Sequence, residues 1–210
     1  QKTNDNPIDN FGIRPLPNLE GKFVAANTLI GIDKKDANLF TSDKVLQKET
    51  DMKDTKHRIF SAKTVKTKRK HKERIAALRK ELAVMLEDIG AVGNEEAILL
   101  ASWDMFDQNA TSSFFAPEWM FAINDGFDIV IGNPPYVQLR SNGGNWGKVY
   151  RDCGYSTFTN TGDLYCLMYE RGYQLLCQGG FLCYITSNTW MRASYGEKLR
   201  ILLATKMDPL

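Results

Sequence analysis

The strongest constraint on the fold lies in the second half of the chain, where two short apolar runs, residues 127–131 and 181–185, flank a helical pattern. The first run, Phe127-Asp128-Ile129-Val130-Ile131, has the length of a buried strand and is interrupted only by Asp128. Residues 163–177 set Leu164, Leu167, Met168, Leu175 and Leu176 on one side of a predicted helix, with Asp163 at its N-cap. Gly179-Gly180 stops that helix, Phe181-Leu182-Cys183-Tyr184-Ile185 is the next predicted strand, and a last helix begins near Tyr195. Strand, helix, strand, helix with apolar strands predicts an α/β fold: a parallel sheet covered on both faces, with Cys183 as a small buried hydrophobe.

The first half reads differently. Residues 1–21 are polar and carry Pro7, Pro15 and Pro17, an irregular lead-in, and residues 22–27 have strand character that ends on Asn27. Residues 42–88 follow a helical period through Ile75, Leu78, Leu82 and Met85, and Gly90 and Gly93 stop it. The expected organisation is therefore 1–41, then a helical stretch at 42–95, then 96–210.

The formal net charge of +2 selects no partner, but its distribution is uneven. Between Lys44 and Glu81 stand fourteen Lys or Arg against five acids. Two readings fit that excess: contact with a polyanion such as DNA, whose phosphates reward clustered cations, or a solvated helical face.

No apolar run approaches the ~18 residues of a membrane-spanning helix, so no membrane partner is expected. Cys153, Cys166, Cys177 and Cys183 form no CxxC pair and no His stands at metal spacing, which argues against zinc and for a reducing, cytoplasmic setting. The chain starts at Gln1 with no apolar signal-peptide core, and reads as an internal piece of a longer protein.

The residues that carry chemistry directly follow the first predicted strand: Asn133-Pro134-Pro135-Tyr136. Ligands of open α/β sheets bind at the carboxyl ends of strands. Two prolines hold the loop rigid and supply no N–H, while their carbonyls remain acceptors. Asn133 adds a side-chain acceptor and Tyr136 a flat ring. Two acceptors and a ring on a rigid loop suit a planar amine. The lone pair of such an amine is delocalised into its ring, and two accepted hydrogen bonds favour the pyramidal geometry needed for attack on a sulfonium methyl. A base presented this way must leave the duplex, and stacking on an aromatic side chain offsets part of that cost.

Ordered blocks along nearly the whole chain carry a family resemblance. They are Pro15-Leu16-Pro17-Asn18-Leu19 with Ala26-Asn27-Thr28-Leu29-Ile30-Gly31; Phe115-Ala116-Pro117-Glu118-Trp119-Met120-Phe121; the stretch from Gly126 to Gln138; Thr161-Gly162-Asp163-Leu164-Tyr165-Cys166; and the stretch from Tyr184 to Arg200. In these the chain resembles the amino-methyltransferases of the fused restriction–modification type (type IIG), which methylate adenine N6 in DNA. The resemblance implies a partial Rossmann-like class I methyltransferase sheet with a basic helical insertion, S-adenosylmethionine as cofactor and double-stranded DNA as partner. Residues 1–41 would then hold the cofactor-side strand and 96–210 the catalytic part. It implies that Asn133 and the Pro134 carbonyl hold the target N6, with Pro135 completing the loop and Tyr136 stacking on the flipped adenine. Asn27 would lie beside the cofactor's adenine ring, or cap a turn. Tyr195 would touch the flipped base, or pack at a helix start; Asp163 would cap its helix and border the substrate. Residues 141–160 would form a mobile loop near DNA.

The family's Asp-Pro-x-x-Gly-x-Gly cofactor turn does not occur among these residues. The expectation is that N- and C-terminal parts of the same enzyme are missing, that the piece alone is inactive, and that its sheet keeps an unpaired edge with exposed apolar surface and low solubility. Two alternatives remain: an Asn-Pro-Pro-Tyr enzyme acting on a protein glutamine or an RNA guanine amine, and a non-catalytic DNA-binding remnant.

Overall fold

The computed structural model describes residues 21–32, 43–62, 64–107 and 109–208. The proline-rich lead-in at 1–20, including the block 15–19, lies outside the described residues. The chain forms two compact units, residues 1–25 with 33–111 and residues 26–32 with 112–210.

In the first unit, α1 (Asp43–Ser61) and α2 (Val65–Asp88) replace the single helical stretch that the sequence suggests. Thr64 separates them as the N-cap of α2, its hydroxyl accepting from Thr67 N at 3.1 Å. Val45, Met52, Thr55 and Ile59 line the buried side of α1, and Ile75, Leu78, Leu82 and Leu86 that of α2, as amphipathic helices packed together require. The pair Lys48–Glu81 bridges the two helices. Arg79, buried on α2, donates to Ala101 O at 3.1 Å and faces Asp104 at 3.5 Å, holding the end of α3 (Asn94–Ser102). Residues 22–25 are not in a strand.

The second unit contains α4 (Pro117–Phe121), β1 (Phe127–Gly132), α5 (Asn145–Tyr150), α6 (Leu164–Gln174), β2 (Leu176–Tyr184) and α7 (Glu197–Lys206). β1 and β2 pair in parallel, with Ile129 opposite Phe181 and Ile131 opposite Cys183. β2 starts earlier than expected because Leu176 already pairs with Phe127. The register then shifts before Phe181, across Gly179 at φ +80°. Gly126 is required where β1 begins: its φ is +88°, and a Cβ there would stand 2.5 Å from Cys177 N.

α6 covers one face of this sheet. A Cβ at Gly172 would reach within 2.7 Å of the Tyr184 hydroxyl and 2.8 Å of Leu182 Cδ1, so the small residue lets the helix sit directly on β2. Alternate residues point the other way. Ile129, Ile131 and Phe181 are 62%, 73% and 60% exposed, and Cys183 is exposed with them. This corrects two expectations: the sheet is not covered on both faces among the described residues, and Cys183 is not buried. With only two paired strands, the opposite apolar face has no described element against it. The unit's core lies elsewhere, where Leu29, Leu139, Tyr150, Tyr155, Leu164 and Leu167 pack together.

Among the described residues no helix is long and apolar enough to cross a membrane, and no cluster of His, Cys, Asp or Glu could hold a metal ion.

Candidate functional site

The Asn133-Pro134-Pro135-Tyr136 segment leaves the C-terminal end of β1 and is fastened on two sides. On the β2 side, Ile185 N donates to Gly132 O at 3.1 Å, and the Tyr136 hydroxyl donates to Ile185 O at 3.0 Å. On the α6 side, Leu164 N donates to Val137 O at 2.7 Å and Leu139 N to Gly162 O at 2.9 Å. The loop is thus spanned between the end of a strand and the start of a helix, and its own prolines restrict what remains. Pro134 is buried, whereas Asn133 and Pro135 are exposed. Neither the Asn133 side chain nor the Pro134 carbonyl bonds to a described donor, so both acceptors are uncommitted within the fold.

Tyr136 is fixed at its tip and open along its ring. Tyr136 is 56% exposed, and its ring meets that of Tyr165 edge to face, 6.2 Å between centroids with the planes 89° apart. Tyr165 is buried and tied in turn. The Tyr195 hydroxyl donates to Asp163 Oδ2 at 2.7 Å and lies 2.7 Å from the Tyr165 hydroxyl. A phenol has one proton, and that of Tyr195 goes to the carboxylate, so Tyr165 donates to Tyr195. Burial, then the bond to Tyr195 and the nearby Asp163 carboxylate, holds the Tyr165 hydroxyl far above the ordinary phenol range. Burial also raises Tyr195. These hydroxyls stay protonated donors and act by position.

Two sequence expectations are therefore placed anew. Asp163 stands at the N-cap position of α6, but its side chain makes no cap bond. Its carboxylate serves Tyr195 instead. Tyr195 sits in the turn before α7, packed with Tyr165, Cys166 and Leu199, with its hydroxyl directed at Asp163. Cys166, beside them, is pushed by burial up to about 12, which leaves no thiolate in this region.

Asn27 belongs to the same unit. Ala26 bridges Ser112, and Asn27 N donates to Ser112 O at 2.9 Å. The Asn27 side chain accepts from Leu29 N at 3.2 Å, an Asx-type turn, and its Nδ2 donates to the Tyr150 hydroxyl at 3.2 Å. Arg171 of α6 fixes this segment, with Nε donating to Thr28 O at 2.8 Å and an Nη donating to Phe115 O at 3.0 Å. Leu29, two residues after Asn27, and Leu139, three after Tyr136, share one core cluster.

The segment 141–160, expected as a loop, is built into the fold. It carries α5, and Tyr150, Tyr155 and Thr157 are buried. The Tyr155 hydroxyl donates to Leu29 O at 2.7 Å. Glu170, buried on α6, accepts from Ser156 N at 3.0 Å and Thr157 N at 2.8 Å. Tyr165, Tyr150, Arg171 and Glu170 are the residues that sequence reasoning left unassigned. Tyr165 lay within a recognised block, but its hydroxyl partner is thirty residues away in the chain.

Residues 27–208 match a family model described as Eco57I restriction-modification methylase. Among curated proteins, the type II methyltransferase M.PaeR7I of Pseudomonas aeruginosa is 38% identical over 80 residues, which is 38% of this chain and 14% of that protein. The type II methyltransferase M.XhoI of Xanthomonas vasicola is 36% identical over 82 residues, 39% of this chain and 15% of that protein. The matched stretch thus spans about one seventh of either relative.

Proposed function

The chain belongs to the Eco57I restriction-modification methylase family, and on that premise we propose that it carries the catalytic loop of a DNA methyltransferase acting on the N6 amine of adenine. The observation that carries the proposal is the state of the loop: Tyr136 anchored through its hydroxyl to Ile185 O with its ring half-exposed, beside two acceptors that no internal donor occupies.

In this reading the target adenine leaves the duplex and stacks on Tyr136, a contact worth ~1–3 kcal/mol. Asn133 Oδ1 and the Pro134 carbonyl accept the two N–H groups of N6. These bonds draw the nitrogen lone pair out of conjugation and stabilise the positive charge that develops as the N–C bond forms. One proton leaves N6 to solvent. No residue becomes covalently attached, consistent with the high-lying thiol of Cys166.

S-adenosylmethionine would supply the methyl from its sulfonium, the S–CH3 bond breaking as the N–CH3 bond forms and the neutral thioether, S-adenosylhomocysteine, leaving. The donor set at Asn27 suits one edge of its adenine ring: a side-chain amide with one donor and one acceptor, whose contacts to the Tyr150 hydroxyl at 3.2 and 3.4 Å are ones a purine edge would replace. Tyr195 and Asp163 hold Tyr165 against Tyr136 and so orient the stacking ring.

The test is the identity of the product. The full-length natural protein is incubated with S-adenosylmethionine and DNA, and the digested nucleosides are identified by mass. N6-methyladenine is expected. N4-methylcytosine, or unmethylated DNA together with a methylated RNA or a methylated Gly-Gly-Gln peptide, would overturn the reading.

A further inference from the structure

The first half of α2 is charged in a way that a purely structural helix avoids. Lys66, Lys68, Arg69, Lys70, Lys72 and Arg74 crowd nine consecutive positions, and the first turn holds no acid. That end of a helix is the positive end of its dipole, so cations there are unfavourable. Like charges four residues apart add to the cost. Lys66, Lys70 and Arg74 repeat at that spacing along one exposed ridge, which continues towards the C-terminus into the buried Leu78 and Leu82.

Internal neutralisation is sparse. Arg69 pairs with Glu73 at 3.7 Å and Lys72 lies over the Phe106 ring at 4.6 Å. Lys66, Lys70 and Arg74 are exposed and form no ion pair within 4 Å among the described residues; Arg74 still acts electrostatically on Glu81, the partner of Lys48. Arg58, exposed in the last turn of α1, lines one groove with Lys70 and Arg74 and is likewise unpaired. The groove also holds Asp51 and Asp54, neither in an ion pair among the described residues, and Asp51 takes a hydrogen bond from Gln47. Those acids disfavour a small anion inside the groove. Arg58, Lys70 and Arg74 outnumber the two acids in that lining, and Lys66 lies outside it.

We infer that Lys66, Lys70 and Arg74 of α2, with Arg58 of α1, form a contact surface for the phosphate backbone of duplex DNA. Eight residues of helix rise ~12 Å, a length along which one DNA strand presents roughly three phosphates. The surface carries no base-reading pattern and contributes affinity that is independent of sequence. The choice of DNA rests on the proposed function; the cation geometry does not.

The experiment measures binding of the full chain to a fluorescein-labelled DNA duplex of mixed sequence between about 50 and 200 mM salt, without methyl donor. One variant carries R58Q, K66Q, K70Q and R74Q; a control carries K44Q, K53Q, K68Q and K80Q, four cations elsewhere on the same unit. All are exposed or half-exposed, so both variants should keep the wild-type unfolding transition. The slope of log affinity against log salt should become shallower by about three to four in the first variant, and by less than one in the control. Equal losses in both, an unchanged slope in the first, or tighter binding to an A-form RNA duplex than to DNA would overturn the inference. Because the readout is binding alone, a protein that binds through this row yet forms no N6-methyladenine would sink the proposed function and leave the surface standing.

Discussion

The hydroxyl of Tyr195 donates to Asp163 Oδ2 at 2.7 Å across 32 positions of sequence. Through Tyr165, this bond reaches the ring of Tyr136 in the Asn-Pro-Pro-Tyr loop. Tyr195→Phe keeps the ring and removes the bond, which should lower the stability of the second unit by ~1.5–3 kcal/mol, the range for a hydrogen bond to a charged group. Denaturant unfolding of the two proteins checks this. Equal midpoints would mean that the hydroxyl is not committed to Asp163 in solution.

Tyr136 separates anchoring from stacking. Tyr136→Phe loses the bond to Ile185 O, which is partly exposed, and should cost no more than ~1 kcal/mol of stability. Its affinity for a duplex with an unpaired target adenine should stay near wild type. Tyr136→Ala should weaken that affinity by roughly 5- to 100-fold, the equivalent of one lost base stack. Fluorescence anisotropy distinguishes them, and equal affinity in all three proteins would exclude stacking on this ring.

Glu170 serves two backbone amides from beneath the segment 156–157. Glu170→Ala strands a buried donor at Thr157 and removes two charge-assisted bonds, for an expected loss of ~3 kcal/mol or more. Glu170→Gln retains one acceptor and should lose about half as much. Hydrogen exchange at Thr157 N–H should accelerate in the alanine variant first.

Lys56 makes the first unit's stability depend on pH. Burial, then the charges of Arg79 and Lys22, lowers its pKa from 10.5 to about 8. Between these values the unfolded chain holds a proton that the folded one has released, so stability rises with pH through that window and is lowest below pH 8. From about pH 7 to 9 the gain attributable to Lys56 is roughly 1 kcal/mol. Lys56→Met should abolish that rise; a variant with the wild-type pH slope would contradict the assignment.

The sequence made β1, most of β2, the loop and the amphipathic faces legible because each is written in neighbouring residues, whereas the strand character at 22–25 formed no strand. The apolar run at 127–131, the prolines that follow it and the periodic Ile75, Leu78 and Leu82 are local signals. What escaped depends on distant partners. The break before Thr64 contains neither Gly nor Pro, so its only mark is a threonine suited to an N-cap. Cys183 has the alternation of a strand residue, but which face is covered is decided by α6 sitting on Leu182 and Tyr184. Asp163 carries every local sign of a cap, and a phenol from the turn before α7 takes its carboxylate. The segment 141–160 lacks a period because single buried anchors such as Tyr150, Tyr155 and Thr157 hold it.

If Asn133 and Pro134 receive an adenine amine, as proposed, the single-turnover methyl-transfer rate depends on the Asn133 side chain. In the full-length natural protein, Asn133→Ala removes one acceptor from an exposed position that supports no internal bond. The rate should fall by ~10²–10³, the typical loss of one preorganised hydrogen-bonding group, with duplex affinity and unfolding unchanged. A rate within threefold of wild type would contradict the proposal, since the amine would then be held by other atoms.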